Sequence, residues 1–254
     1  MKVKNRFSIF FWILCLAFIF PRTAASWGGF VHPRIAEDAY TVIEDVKFPE
    51  GVHYSHSVLW RGVLIPYTRE PDNYNKTINH LSAAECAYKL SSFAKGCINA
   101  IQNNENWEKI MQDLGRATHF IQDMNCPHHG IQKYIPGDHE AFEKRAVYGP
   151  WRKENFDGFQ LIVDLDEFVY NAARFSKRFY KFDNDELFYK DQEFHLKVMK
   201  PLWHHTVNDV IDLWLTVFYL GLGEQKYNEL GFPQKLGLRD AEKINFPDVD
   251  LSKD

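Results

Sequence analysis

Apolar residues recur at three- and four-residue intervals along most of this chain, and the pattern predicts helices almost throughout. Ile35, Ala36, Ala39, Tyr40 and Ile43 share one face of an amphipathic helix, with Pro33 suited to its first turn. Residues 81 to about 101 form a long helical pattern that Asn103 and Asn104 break. Residues 107–124 follow, stopped by Pro127, and a further helix is expected from 139 to about 147, ended by Gly149 and Pro150. Residues 159–179 and 195–220 are two more candidates, the second interrupted near Pro201. Between them, residues 46–75 read as irregular, punctuated by Pro49, Gly51, Gly62, Pro66 and Pro71. Within that segment, residues 57–65 are the one β-like stretch. The polar tail 235–254 is expected to be loosely ordered. With no repeat, low-complexity run or flexible linker to divide it, the chain is expected to be all-α, one helical domain over residues 27–254.

The first 26 residues have a different character. Lys2, Lys4 and Arg6 precede an apolar stretch of 14 residues, 7–20, and Ala24-Ala25-Ser26 supplies small residues suited to a signal peptidase. Fourteen is short against the about 20 apolar residues that a membrane span needs, so residues 1–26 read as a signal peptide. Cleavage before Trp27 would leave 228 residues, secreted or periplasmic, enough for a full core. The segment removed carries four basic residues (Lys2, Lys4, Arg6, Arg22) and no acid, so the formal charge moves from -4 to -8. That balance argues against a broad electrostatic footprint for nucleic-acid backbones. Only Cys86, Cys97 and Cys126 remain after residue 26, too few for a disulfide scaffold. Cys86 and Cys97 fall in one helix about 16 Å apart, beyond bridging distance.

All eleven histidines lie after residue 26. His119 and Asp123 are four apart, as are His139 and Glu143, so each pair shares a helical face. A carboxylate and an imidazole on one face make half of a zinc site, since zinc takes nitrogen and oxygen ligands. Two such halves joined by the turn Pro127-His128-His129 predict more than one metal and metal-assisted hydrolysis. The offset from His119 favours His129 over its neighbour His128. Upstream, Trp27, His32, Asp72 and His80 extend the set. His204 and His205, with Asp209 and Asp212 on a late helix, are a further polar cluster, read as solvated or as supporting a metal site from behind.

These residues carry a resemblance. Trp27-Gly-Gly-Phe-Val-His32, Glu70-Pro-Asp72-Asn-Tyr74 with His80, Leu114-Gly-Arg-Ala-Thr-His119-Phe-Ile-Gln-Asp123-Met-Asn-Cys-Pro-His-His129 and His139-Glu-Ala-Phe-Glu143 resemble the zinc-dependent phospholipase C family and its relative, the fungal single-strand-specific zinc nuclease family. The resemblance spans about 27–147 at motif level. It implies an all-helical fold around three Zn2+ ions. One ion would be held by the amino group and carbonyl of Trp27, His32 and Asp123. A second would be held by Asp72, His80, His119 and Asp123, and the third by His129, His139 and Glu143. The terminal amine becomes a ligand only after cleavage before Trp27 and loss of its proton. Asp72 and His80 are closer together than in the family, and His53 and His56 are alternatives for the role of His80.

A water between two zincs attacking phosphorus is the implied mechanism, with Asp72 as the carboxylate that positions or deprotonates it. Glu143 as the last ligand resembles the phospholipases, which cleave a glycerophospholipid to diacylglycerol and a phosphorylated headgroup. The nucleases carry Asp there. The short spacing from Trp27 to His32 resembles the nucleases instead. A third reading is a non-catalytic, zinc-stabilised binding domain. Tyr54, Trp60, Tyr67 and Tyr74 lie near Asp72 in sequence, where they would pack in the core or contact lipid.

Overall fold

The computed structural model describes residues 31–49, 52, 55–70, 81–129, 142, 151–182 and 186–239. Local signals set the two helices at its centre. Ser82 caps α3 (Ala83–Gln102) in a reciprocal box: its hydroxyl accepts from the Glu85 N–H while the Glu85 carboxylate accepts from the Ser82 N–H. The Ser82 N–H and hydroxyl, both donating to it at 2.8 Å, hold the Glu85 carboxyl below its ordinary range. Asn104, at a positive φ of 53°, turns the chain after α3. The Asn106 side chain then accepts from the Glu108 N–H to start α4 (Trp107–Met124). The two helices pack along their length.

Around this pair stand α1 (Val31–Ile43), α5 (Leu165–Lys177), α6 (Glu186–Lys190), α7 (Gln192–Leu222) and α8 (Glu224–Glu229), and most of the described chain is helical. Between α1 and α3, a π-helix over Val58–Leu64 runs into α2 (Ile65–Tyr67). Residues 57–65 are therefore helical, not β-like, and part of the segment expected to be irregular is ordered. Burial explains the wide turn. Leu59 and Trp60 are buried, as are Leu64 and Ile65 five residues on, and a π register stacks both pairs on one face. The Ile65 N–H bonds the Trp60 carbonyl, five residues back.

α7 is continuous over 31 residues, with Pro201 inside it rather than interrupting it. Packing on several sides by α1, α3, α4 and β1 outweighs a proline cost of about 3 kcal/mol. Residues 159–179 are not one helix: β1 (Phe159–Ile162) precedes α5, which Asp164 caps. β1 pairs in parallel with β2 (Lys235–Arg239), so the start of the expected loose tail is a strand. Three α7 side chains on one stripe serve N–H groups of β1 and of the segment just before it. Asn208 accepts from Asp157, Asp212 from Gln160 and Thr216 from Ile162, at 3.0–3.2 Å. Cys86, Cys97 and Cys126 are buried thiols with no disulfide between them. Burial pushes Cys97 up to about 12.

Candidate metal centre

One face of α4 carries His119, Gln122 and Asp123, and the first turn of α1 brings His32 against it. α1 is held in place from its far side by Trp203 of α7, whose indole N–H donates to Asp38 at 2.9 Å. His32, His119 and Asp123 are all buried, and one ligand atom from each lies within 4.8 Å of the others. His32 Nε2 is 3.4 Å from Asp123 Oδ1 and His119 Nε2 is 3.2 Å from Oδ2. His129 Nδ1 stands 3.9 Å from Oδ2. Burial opposes ionisation of Asp123, but the imidazoles of His119, His129 and His32 hold its carboxyl well below the usual range.

The imidazoles of His32 and His119 are each oriented from behind. His32 Nδ1 is 2.6 Å from Gln122 Oε1, and Gln122 Nε2 donates to the His32 carbonyl at 3.1 Å. That second bond fixes which end of the amide faces the ring. His119 Nδ1 is 2.9 Å from the Thr68 carbonyl. Thr68 reaches α4 because residue 115 is glycine. A Cβ on Gly115 would lie 2.5 Å from the Leu64 carbonyl oxygen and 2.8 Å from Tyr67 Cβ. One residue on, Arg116 grips Glu70 through Nε and Nη2, the latter at 3.0 Å from Oε1, and also pairs with Asp113.

These bonds test whether a cation fits. Both Nδ1 atoms face oxygen acceptors, so both must carry a proton. Both Nε2 atoms face the same carboxylate. Without a cation, either two imidazolium rings lie 4.5 Å apart, tilted, around one buried carboxylate, or unprotonated Nε2 lone pairs point at its oxygens. A cation removes the conflict, because neutral Nε2 and carboxylate oxygen are both ligands. Ligand atoms on a tetrahedral ion with bonds of ~2.1 Å lie about 3.4 Å apart, close to the two His–Asp separations. The group can hold a metal ion.

No protein-family model, curated protein or solved structure matches this chain. The site therefore rests on its own geometry. Of the nine ligands expected from sequence, the structure brings together His32, His119, Asp123 and His129. Trp27, Asp72, His80, His139 and Glu143 lie outside the described residues, as do His53, Tyr54, Tyr74 and most of the 139–147 helix. Phe142 is the one described residue of that segment. It is helical and buried, with its ring 5.3 Å from that of His128 and stacked on Phe188. His128 thus meets aromatic rings, Phe142 and Tyr180, while His129 faces Asp123. His56, an alternative for His80, is elsewhere: it bonds the Tyr40 hydroxyl at 3.1 Å and packs among Phe48 and Trp60. Trp60 is itself fully buried in the aromatic core.

Sequence reasoning missed Gln122, Thr68 and the role of Gly115. Of the two readings of the late polar cluster, burial removes the solvated one for its two acids. Asp209 and Asp212 are both 1% exposed and share the guanidinium of Arg239. His205 Nε2 lies 3.5 Å from Asp209. Burial pushes Asp212 up to about 7 against the pull of Arg239, as expected where one guanidinium serves two buried acids. The two acids are shielded from solvent, while His204 and His205 are half-buried.

Proposed function

We propose that this chain is an exported zinc-dependent phosphodiester hydrolase of the phospholipase C type, cleaving a glycerophospholipid to diacylglycerol and a phosphorylated headgroup. The observation that carries it is the pair of imidazoles, each held at Nδ1 by an acceptor while Nε2 faces the same buried carboxylate. A donor set rich in imidazole favours zinc over calcium or magnesium, which prefer oxygen. Asp123 offers one oxygen to each ring, the disposition required of a carboxylate shared between two ions. In the proposed three-ion centre Trp27, His32, Asp72, His80, His119, His129, His139 and Glu143 supply the remaining ligands.

Bound zinc supplies a nucleophile from water at neutral pH and neutralises charge building on phosphoryl oxygens. The chain's residues supply the setting. Gln122 and Thr68 keep the Nδ1 protons in place, so that each Nε2 presents its lone pair to a metal. Burial of His32 and Asp123 excludes bulk water, which strengthens every charge interaction there. Asp72 is the proposed acceptor for the proton of the attacking water. Glu143 and the net charge of -4 favour lipid over nucleic acid as substrate. The five-residue step from Trp27 to His32 favours the nuclease relatives, and single-stranded nucleic acid is the second reading.

The test uses the chain beginning at Trp27, loaded with zinc, incubated separately with phosphatidylcholine vesicles and with single-stranded DNA. Release of phosphocholine with about three zinc ions per chain is the expected result. DNA cleavage alone transfers the reading to the nucleases. Full zinc without turnover leaves a zinc-stabilised binding domain, and failure to bind zinc removes the metal centre altogether.

A further inference from the structure

Two residues after Asp123, at the C-cap of α4, a buried side-chain relay begins. Asn125 caps the helix: its Nδ2 donates to the Ile121 carbonyl at 3.1 Å and to Asp209 Oδ2 of α7 at 2.8 Å. Asn125 Oδ1 makes no hydrogen bond, so the amide is held through Nδ2 alone. The other oxygen of Asp209 accepts from Arg239, the last residue of β2, which also bonds Asp212 and lies over the Phe168 ring of α5 at 5.2 Å. Lys235, Leu236 and Leu238 of the same strand are exposed, whereas the Arg239 side chain is 10% exposed. Arg239 is therefore the anchor by which β2 reaches the interior.

We propose that Arg239 is a positioning residue for the metal centre: by fixing Asp209, it fixes Asn125 and with it the last turn of α4 that carries Asp123. The proposal rests on reading His32, His119 and Asp123 as a metal site. Arg239 supplies the charge that allows two buried carboxylates to lie side by side. Without it Asp209 turns towards other donors, and the Asn125 amide loses a fixed acceptor. The Cys126 N–H, bonded to the Asp123 carbonyl at 2.9 Å, and the turn leading to His129 then shift with the helix end.

The experiment measures Co2+ affinity and metal-free melting temperature for the full chain and for Arg239→Met, Arg239→Lys, Asn125→Ala and the Arg239→Met/Asn125→Ala double variant. Arg239→Met and Asn125→Ala are each expected to weaken Co2+ binding about 10-fold, as loss of an outer partner of a metal ligand does. Arg239→Lys should fall between wild type and Arg239→Met, since one ammonium cannot fork across two acids. The double variant should bind no more than a few-fold more weakly than either single, because both act through one contact. A lower melting temperature with unchanged Co2+ affinity makes Arg239 merely structural and overturns the proposal. Multiplicative losses in the double variant overturn the route through Asn125. If Arg239→Met does not fold, wild-type affinity in both Arg239→Lys and Asn125→Ala overturns it equally. A wild-type chain that binds no Co2+ overturns the metal site itself and this proposal with it.

Discussion

His32 and Gln122 are bonded twice, ring to amide and amide to backbone, across 90 residues of sequence. The double bond leaves the imidazole one orientation, with Nε2 towards Asp123. Gln122→Met keeps the volume of the side chain and removes both bonds. Metal affinity is expected to fall between about 10- and 100-fold, the range for partners behind a metal-binding histidine. Competition with a chromophoric chelator measures it. An unchanged affinity would show that packing alone orients His32.

Asp123 offers an oxygen to each of two imidazoles, so its loss should be felt twice. Asp123→Asn keeps the shape and removes the charge. Zinc affinity should fall by more than the ~100-fold upper end for outer partners, and phosphodiester turnover should disappear with it. Full zinc content with activity intact would rule Asp123 out as a shared ligand.

The helical character of the chain was legible because its signals are local. Predicted bounds near 81–101 and 107–124 lie within two residues of α3 and α4, since Ser82, Asn104 and Asn106 punctuate the chain within a few residues of each end. β1 was not legible. The N–H groups of Asp157 just before it and of Gln160 and Ile162 within it are satisfied by Asn208, Asp212 and Thr216, about fifty residues downstream, so no window around 159–162 contains its cause. Residues 57–65 misled for a different reason: a five-residue apolar repeat fits neither the α nor the β period. At the site, the four-residue spacing of His119 and Asp123 carried the reading. The acceptor behind His119 is a backbone carbonyl, which has no residue type to recognise.

Gly115 joins fold to site. Gly115→Ala places a methyl 2.5 Å from the Leu64 carbonyl oxygen, a backbone atom that cannot rotate away. The segment 64–68 must retreat, at a cost of about 1–3 kcal/mol. Because Thr68 belongs to that segment, its bond to His119 should lengthen too. The expected result is a lower melting temperature together with weaker metal binding. Stability loss with unaltered affinity would separate the packing of 64–68 from the orientation of His119.

Two histidines should make the stability of the metal-free fold depend on pH, with Asp212 acting against them. Burial lowers both His56 and His205 to about 4, in His205 despite the opposing pull of Asp209. In the unfolded chain these rings titrate near ~6.5. Between about pH 6.5 and 4 these rings bind more protons in the unfolded state, so their contribution to stability rises with pH. Asp212, raised to about 7 in the fold, holds its proton there and contributes with the opposite sign. The histidine contribution is complete above about 6.5 and is lost as pH falls towards 4. His205, its side chain 15% exposed, should supply up to about 1.4 kcal/mol per pH unit in that window, and His56, also partly reached by solvent, less. Urea unfolding at pH 7, 6 and 5 reads the slope. His205→Phe should reduce it by close to one proton, whatever it does to stability at pH 7. An unchanged slope in that variant would show that His205 is protonated in the folded chain.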